Sequence, residues 1–147
     1  YYLQFFQRSA ISGLSLGMDV PYLYRSLVFG AVCGLYRLIE GFEKQEIDIE
    51  KVIAVGGISK KSPYVMQMLS DLSGREIYIL DSDQTCAQGA AMYAVVGAGI
   101  YETLEVAAEH MAAKCIKIYK PDSEKKDWYK KHYQEYLKLA EAVNKLS

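Results

Sequence analysis

The sequence is short of the residues that build disulfide frameworks and metal sites. Its three cysteines, Cys33, Cys86 and Cys115, are scattered, odd in number and without C-x-x-C spacing. A disulfide scaffold is excluded, and a reduced, cytoplasmic setting fits best. The two histidines, His110 and His132, stand in no metal-ligand spacing, so no zinc site is expected. An excess of one charge is missing as well. The net charge of −1 lacks the basic surplus of nucleic-acid binders, and no polyanion partner is expected. No apolar run approaches the roughly 18 residues of a membrane span, so no membrane partner is expected, and no signal-peptide pattern is visible. The chain opens on Tyr1-Tyr2-Leu3-Gln4-Phe5-Phe6 without a methionine, and the expectation is a piece of a longer polypeptide. Its 147 residues suffice for one domain, 1–147, with a real core.

Two phosphate-binding signatures are also absent. No G-x-x-x-x-G-K-[ST] can be fitted anywhere, and no G-x-G-x-x-G follows a strand pattern. Gly97-Ala98-Gly99 stands behind a helical pattern with Glu102 in the wrong place, and reads as a helix end. What is present instead runs from Lys51 to Gly74. Val52-Ile53-Ala54-Val55 is an unbroken β-branched run, suited to a strand covered on both faces. Gly56-Gly57 follows at once, where backbone without Cβ permits a positive φ or the approach of a ligand. Ser62-Pro63 reads as N-cap and first residue of a helix whose buried stripe is Val65, Met66, Leu69 and Leu72, with Gly74 past its end. A strand end, a glycine pair and a helix start therefore meet where open α/β sheets place their ligands. On spacing alone the pair is either a tight turn or a ligand seat.

Elsewhere the pattern is that of an α/β domain. Ile11, Leu14 and Leu16 suit a short strand or one helical turn. Asp19 is placed to cap a long helix with Pro21 in its first turn. Leu23, Leu27, Ala31, Leu35 and Ile39 recur every fourth residue, and Val28, Phe29 and Val32 widen the apolar surface, so this helix is expected to be buried on most sides. Gly30 and Gly34 each cost ~1 kcal/mol of helix propensity relative to Ala, which close approach of a neighbour would explain. Glu76 to Asp81 is a second strand, expected parallel to the first because a helix separates them. Asp81-Ser82-Asp83 forms its exit, Asp83 caps the next helix, and Ala87, Gly89, Ala90, Ala91 and Ala94 make that helix small enough to lie very close to something. Either sheet packing or a ligand accounts for it. Thr103 to Met111 is a short amphipathic helix. The tail carries Tyr129, Tyr133, Tyr136, Ala140 and Val143 at helical spacing, a docking face, while Lys125-Lys126 and Lys130-Lys131 are a solvated one.

Two strings go beyond a generic α/β pattern: Ala54-Val55-Gly56-Gly57-Ile58-Ser59-Lys60-Lys61-Ser62-Pro63, and Asp81-Ser82-Asp83-Gln84-Thr85-Cys86-Ala87-Gln88-Gly89-Ala90-Ala91. Their order and separation resemble the C-terminal, nucleotide-side domain of the FGGY carbohydrate kinases, and most of all the members acting on the ketopentose L-ribulose. The resemblance implies part of an actin-like, ribonuclease-H-like ATPase domain with parallel strands covered by helices and an extra C-terminal helix. It implies ATP and Mg²⁺ as cofactors, the magnesium ligands and the catalytic base lying outside this chain. A sugar would be held by a further N-terminal domain, and a homodimer of the parent is left open. Gly56, Gly57, Ile58, Lys61 and Ser62 would touch adenine and ribose, and Asp83, Gln84 and Ala87 would close the far side. Relatives commonly carry Asn at position 62 and an apolar residue at 88. Gln88 is therefore expected to face solvent, and Asp81 and Asp83 to act as turn and cap formers.

Overall fold

The computed structural model describes residues 10–145. Residues 10–19 form no regular element, only a turn in which the Met18 amide donates to the Ser15 carbonyl, so neither a strand nor a helical turn forms at Ile11 to Leu16. The long helix α1 spans Val20–Glu43. Asp19 caps it as expected, its carboxylate accepting from the Tyr22 amide at 2.8 Å. Strand β1, Val52–Ala54, leads through Gly56 into a five-residue helix α2, Gly57–Lys61, where sequence reasoning saw only a loop. Helix α3 covers Pro63–Ser73 and strand β2 covers Ile77–Leu80. Then come α4 (Thr85–Gly97), α5 (Leu104–Met111), β3 (Cys115–Tyr119) and α6 (Ser123–Lys145).

The three strands lie in the order β1-β2-β3, with β1 parallel to β2 and β3 antiparallel to it. The parallel pair is as the intervening helix requires. Both strand exits consequently lie side by side at one edge. Helix α3 covers the sheet through Val65, Met66, Leu69 and Leu72, the stripe read from the sequence, all buried. It stops at Gly74, whose φ of +69° is the left-handed conformation that glycine adopts without strain. Helices α1 and α6 pack on α3, and Val32, Cys33, Tyr36, Ile77, Ile79, Tyr119 and Tyr133 complete the core. The tail's tyrosine stripe is thus the docking face expected of it, with Tyr133 fully buried. Asp71, 1% exposed, fastens the turn into α6 by accepting from the Asp122 amide at 2.9 Å and the Gln67 amide group at 2.7 Å.

Four expectations fail here for physical reasons. Strand β1 is not covered on both faces: Val52 and Ala54 turn to the core beside Ile77 and Ile79 of β2, while Ile53, Val55 and Ile118 of β3 on the other side are 52%, 47% and 42% exposed. All three core helices lie on one face, so strand alternation leaves the other bare among the described residues. Helix α1 is buried along Val32, Cys33 and Tyr36, and Leu27 and Leu35 of the every-fourth-residue row stay exposed. A row of i+4 steps drifts around a 3.6-residue helix, and α3 and α6 cover only one side. Gly34 does face the Tyr136 hydroxyl, 3.8 Å from where its Cβ would stand, but a Cβ built on Gly30 would meet nothing described within 4 Å outside its own stretch of helix. Lys130 is not simply solvated: its ammonium donates to the Tyr36 hydroxyl and lies over the Tyr36 ring at 4.2 Å.

The Tyr36 and Tyr133 rings meet edge-on at 4.9 Å, and the Tyr133 hydroxyl donates to Glu40 at 2.5 Å. Burial, reinforced by the negative charge of Glu40, pushes the Tyr36 phenol from 10.0 up to about 12. Tyr133 is raised too, burial again first and the Glu40 hydrogen bond second. A phenol whose folded pKa is raised stabilises the fold fully below its unfolded value and loses that contribution as pH climbs through the folded one. The stability that these two phenols add is therefore expected to decline from about pH 10 upward and through 12, so that alkaline unfolding accompanies ionisation of the buried, late-titrating tyrosines. Far-ultraviolet circular dichroism recorded alongside tyrosinate absorbance checks it; unfolding unrelated to tyrosinate formation contradicts it.

Candidate functional site

The site is assembled at the carboxyl edge of β1 and β2. At the first exit Gly56 has φ +86°, a conformation strained for any residue with a Cβ, so glycine is required there by the backbone itself. Its carbonyl is tied down by the 3%-exposed Ser59, whose hydroxyl donates to it at 2.7 Å. Gly57 differs. Its φ is ordinary, and a Cβ built on it meets nothing within 4 Å. The chain's own packing gives no reason for glycine at 57, and the peptide there stands open. Ile58 beside it is 60% exposed, and Lys61 is exposed. Ser62 stands at the N-cap of α3 as expected but makes no capping hydrogen bond, because its backbone (φ −125°, ψ 79°) departs from a cap's usual geometry. Its hydroxyl makes no hydrogen bond among the described residues.

At the neighbouring exit, Asp81 to Gln84 leads into α4. The N-cap is Gln84, not Asp83, and no side chain caps the helix. Asp83 is drawn away by charge. The Lys60 ammonium lies 2.9 Å from the Asp83 carboxylate and 3.3 Å from that of Asp81. Neither aspartate therefore caps α4, the role read for Asp83 from the sequence. Asp83, Gln84 and Ala87 are exposed at this end of α4, with the helix dipole's positive end turned toward the opening. The Thr85 hydroxyl is buried without a hydrogen-bond partner. Gln88 does not face solvent: its side-chain amide donates to the Met111 carbonyl and ties α4 to α5. The small residues of α4 do not serve tight packing within the described chain, since α4 has no buried residue and Gly89 has nothing within 4 Å of its would-be Cβ.

All eight residues read as a site, Gly56, Gly57, Ile58, Lys61, Ser62, Asp83, Gln84 and Ala87, thus belong to two adjoining strand exits. Lys60 and Ser59 complete the corner and were missed as site residues. A signal existed for Lys60: a lysine one turn beyond the first exit faces an Asp-x-Asp at the second once the two strands are parallel neighbours. A cavity of about 500 Å³ elsewhere, between α1 and α6 and lined by Leu27, Phe29, His132 and Tyr136 among others, shares no residue with these exits.

The hydrogen bond and charge of Lys60 hold the Asp83 carboxyl below its usual range. A depressed carboxylate contributes above its unfolded pKa and stops doing so as pH falls through the folded one, so acid opens the link between the exits. Replacing Lys60 by Met is expected to return the Asp83 titration, followed by carboxyl carbon chemical shift, to the ordinary aspartate range. An unmoved titration contradicts the bridge.

Comparison with known proteins gives this geometry a context. Residues 2–98 match the model for the FGGY family of carbohydrate kinases, C-terminal domain. A ribulokinase of Vibrio parahaemolyticus is 37% identical over 140 residues, covering 95% of this chain and 25% of the relative. A ribulokinase of Shouchella clausii is 37% identical over 133 residues, 88% of this chain and 24% of the relative. The chain thus spans about a quarter of the length of these relatives. Among solved structures, a xylulose kinase from Brucella ovis superposes with a TM-score of 0.85 at 20% identity, over 97% of this chain and 29% of that one. A xylulose kinase from Rhodospirillum rubrum gives 0.82 at 20%, over 96% and 28%. The Plasmodium falciparum glycerol kinase solved with ADP gives 0.73 at 22%, over 92% and 26%. These likenesses show the fold, a portion of the actin-like, ribonuclease-H-like domain of the sugar kinases. The family model spans more than half of the sequence and the backbone agrees with it: the chain belongs to the FGGY family of carbohydrate kinases.

Proposed function

We propose that this chain is the nucleotide-side part of a larger, two-domain, cytoplasmic ATP-dependent kinase that phosphorylates the ketopentose L-ribulose on its terminal hydroxyl, giving L-ribulose 5-phosphate. The ribulokinase relatives support the choice of sugar. The observation that carries the nucleotide is the open peptide at Gly56-Gly57 facing the uncapped start of α4. Adenine is a flat slab that needs bare backbone on one face, which Gly57 supplies and any side chain would obstruct. Ser62, with an unengaged hydroxyl, is a short polar partner for the ribose, and Ala87 on α4 keeps the opposite wall low. Ile58 and Gln84 border the seat, with Lys61 at its corner and Asp83 held beside it by Lys60.

In this reading the chain binds and orients the phosphate donor, and the reacting hydroxyl is activated elsewhere. In-line transfer needs a base for the attacking oxygen and positive charge at the γ-phosphate. The two carboxylates nearest the seat, Asp81 and Asp83, are occupied by Lys60. Neither is open to magnesium, which kinase sites hold through one or two carboxylates together with phosphate oxygens and water. Base, magnesium ligands and sugar contacts are assigned to the remainder of the polypeptide. A second reading, that another sugar of the family is the acceptor, is favoured by the xylulose, gluconate and glycerol kinases among the structural neighbours. The sugar-contacting residues decide between them.

The isolated chain is expected to convert no ATP to ADP with L-ribulose; turnover above background contradicts the division of labour. In the complete kinase, Gly57→Ala is expected to leave the melting temperature unchanged and to raise KM for ATP about tenfold, the effect of ~1.4 kcal/mol of lost binding. An unchanged KM sinks the placement of the purine.

A further inference from the structure

The two walls of the proposed seat sit on different loops, and their spacing has to be fixed by something. Among the described residues, no hydrogen bond or ion pair other than those of Lys60 joins residues 56–62 to residues 81–88. The side chain of Lys60 is only 23% exposed, so its stem lies along the protein and its ammonium reaches both Asp81 and Asp83, whose side chains are 66% and 81% exposed. Helix α4 has no buried residue to hold it in place from within. Its first turn is tied through Gln88 to the Met111 carbonyl, and the loop just before it is tied to the first exit through this lysine.

We propose that Lys60 is a positioning residue that sets the gap between the Gly56-Gly57 peptide and the α4 wall, and so the affinity for adenosine. This rests on the nucleotide reading above and deepens it. The claim is about geometry rather than charge: Lys60 is already matched by two carboxylates, so the three groups together carry a net −1 and offer no surplus positive charge to a phosphate. Affinity lost with the lysine is affinity for the purine nucleoside, shared by every ligand that contains it.

The test compares the chain with its Lys60→Met and Lys60→Arg variants, titrated separately with adenosine and with ADP and followed by amide chemical shifts of Gly56, Gly57 and Ala87. In the free protein, Lys60→Met is expected to move the Gly57 and Ala87 shifts while leaving the melting temperature unaltered, since an exposed ion pair adds little to stability. Both ligands are expected to bind about fivefold more weakly to Lys60→Met, the cost of ordering one loop on binding. Lys60→Arg, which can reach both carboxylates, is expected to restore both affinities. Weakening of ADP alone overturns the proposal in favour of a direct charge effect, and so does unchanged binding or failure of the arginine to rescue. If the unaltered chain binds neither ligand, the nucleotide reading itself falls and this inference with it; binding by the unaltered chain with no loss in Lys60→Met overturns only the inference.

Discussion

Parallel pairing of β1 with β2, fixed by the crossover through α3, is the constraint from which the other features follow. Because Val52 pairs with Ile77 and Ala54 with Ile79, both strands deliver their loops to the same edge. An antiparallel pairing would have sent the glycine pair and the α4 start to opposite ends of the sheet. The pairing holds because α3 presents a continuous apolar stripe to it. A fully buried Leu72 or Ile77 is worth ~1.5–3 kcal/mol relative to exposure, so the pairing is held by packing under the sheet. The polar contacts at the site are then free to be short, exposed and weak.

That division explains which parts of the molecule could be read from residues alone. The α3 stripe, the Gly74 stop, the Asp19 cap and the tyrosine face of α6 were legible because each is a local rule: periodicity, capping, or the conformational freedom of glycine. The two strand exits were legible because a βαβ unit brings them together whatever the side chains do. What sequence reasoning missed was set by tertiary competition. Asp83 has the chemistry of a cap, but a lysine 23 residues earlier in the chain claims it. Gln88 has the chemistry of a solvent-facing residue, but the end of α5 offers a carbonyl within reach. The row Leu23, Leu27, Ala31, Leu35 and Ile39 looked like a core stripe, whereas the positions of α3 and α6 selected Val32, Cys33 and Tyr36.

The glycines illustrate how far a residue type alone can mislead. Gly56 is demanded by its own backbone, and Gly34 lies beside the Tyr136 hydroxyl. Gly57 and Gly89 satisfy neither condition and look out on empty space. Gly17, Gly30, Gly41 and Gly97 share that openness, so what sets Gly57 apart is its place beside the second strand exit and not the openness itself. The cavity between α1 and α6 shares no residue with the strand exits.

The uncovered side of the sheet, with Ile53, Val55 and Ile118 outward and β1 at its border, has a consequence for handling the molecule. Among the described residues that surface is apolar and borders a strand with no partner on its outer side, a combination through which chains adhere to one another. Detergent, a fused solubility partner or a screening layer of helices would shield it, and polar replacements at Ile53 and Ile118 would do so without entering the core.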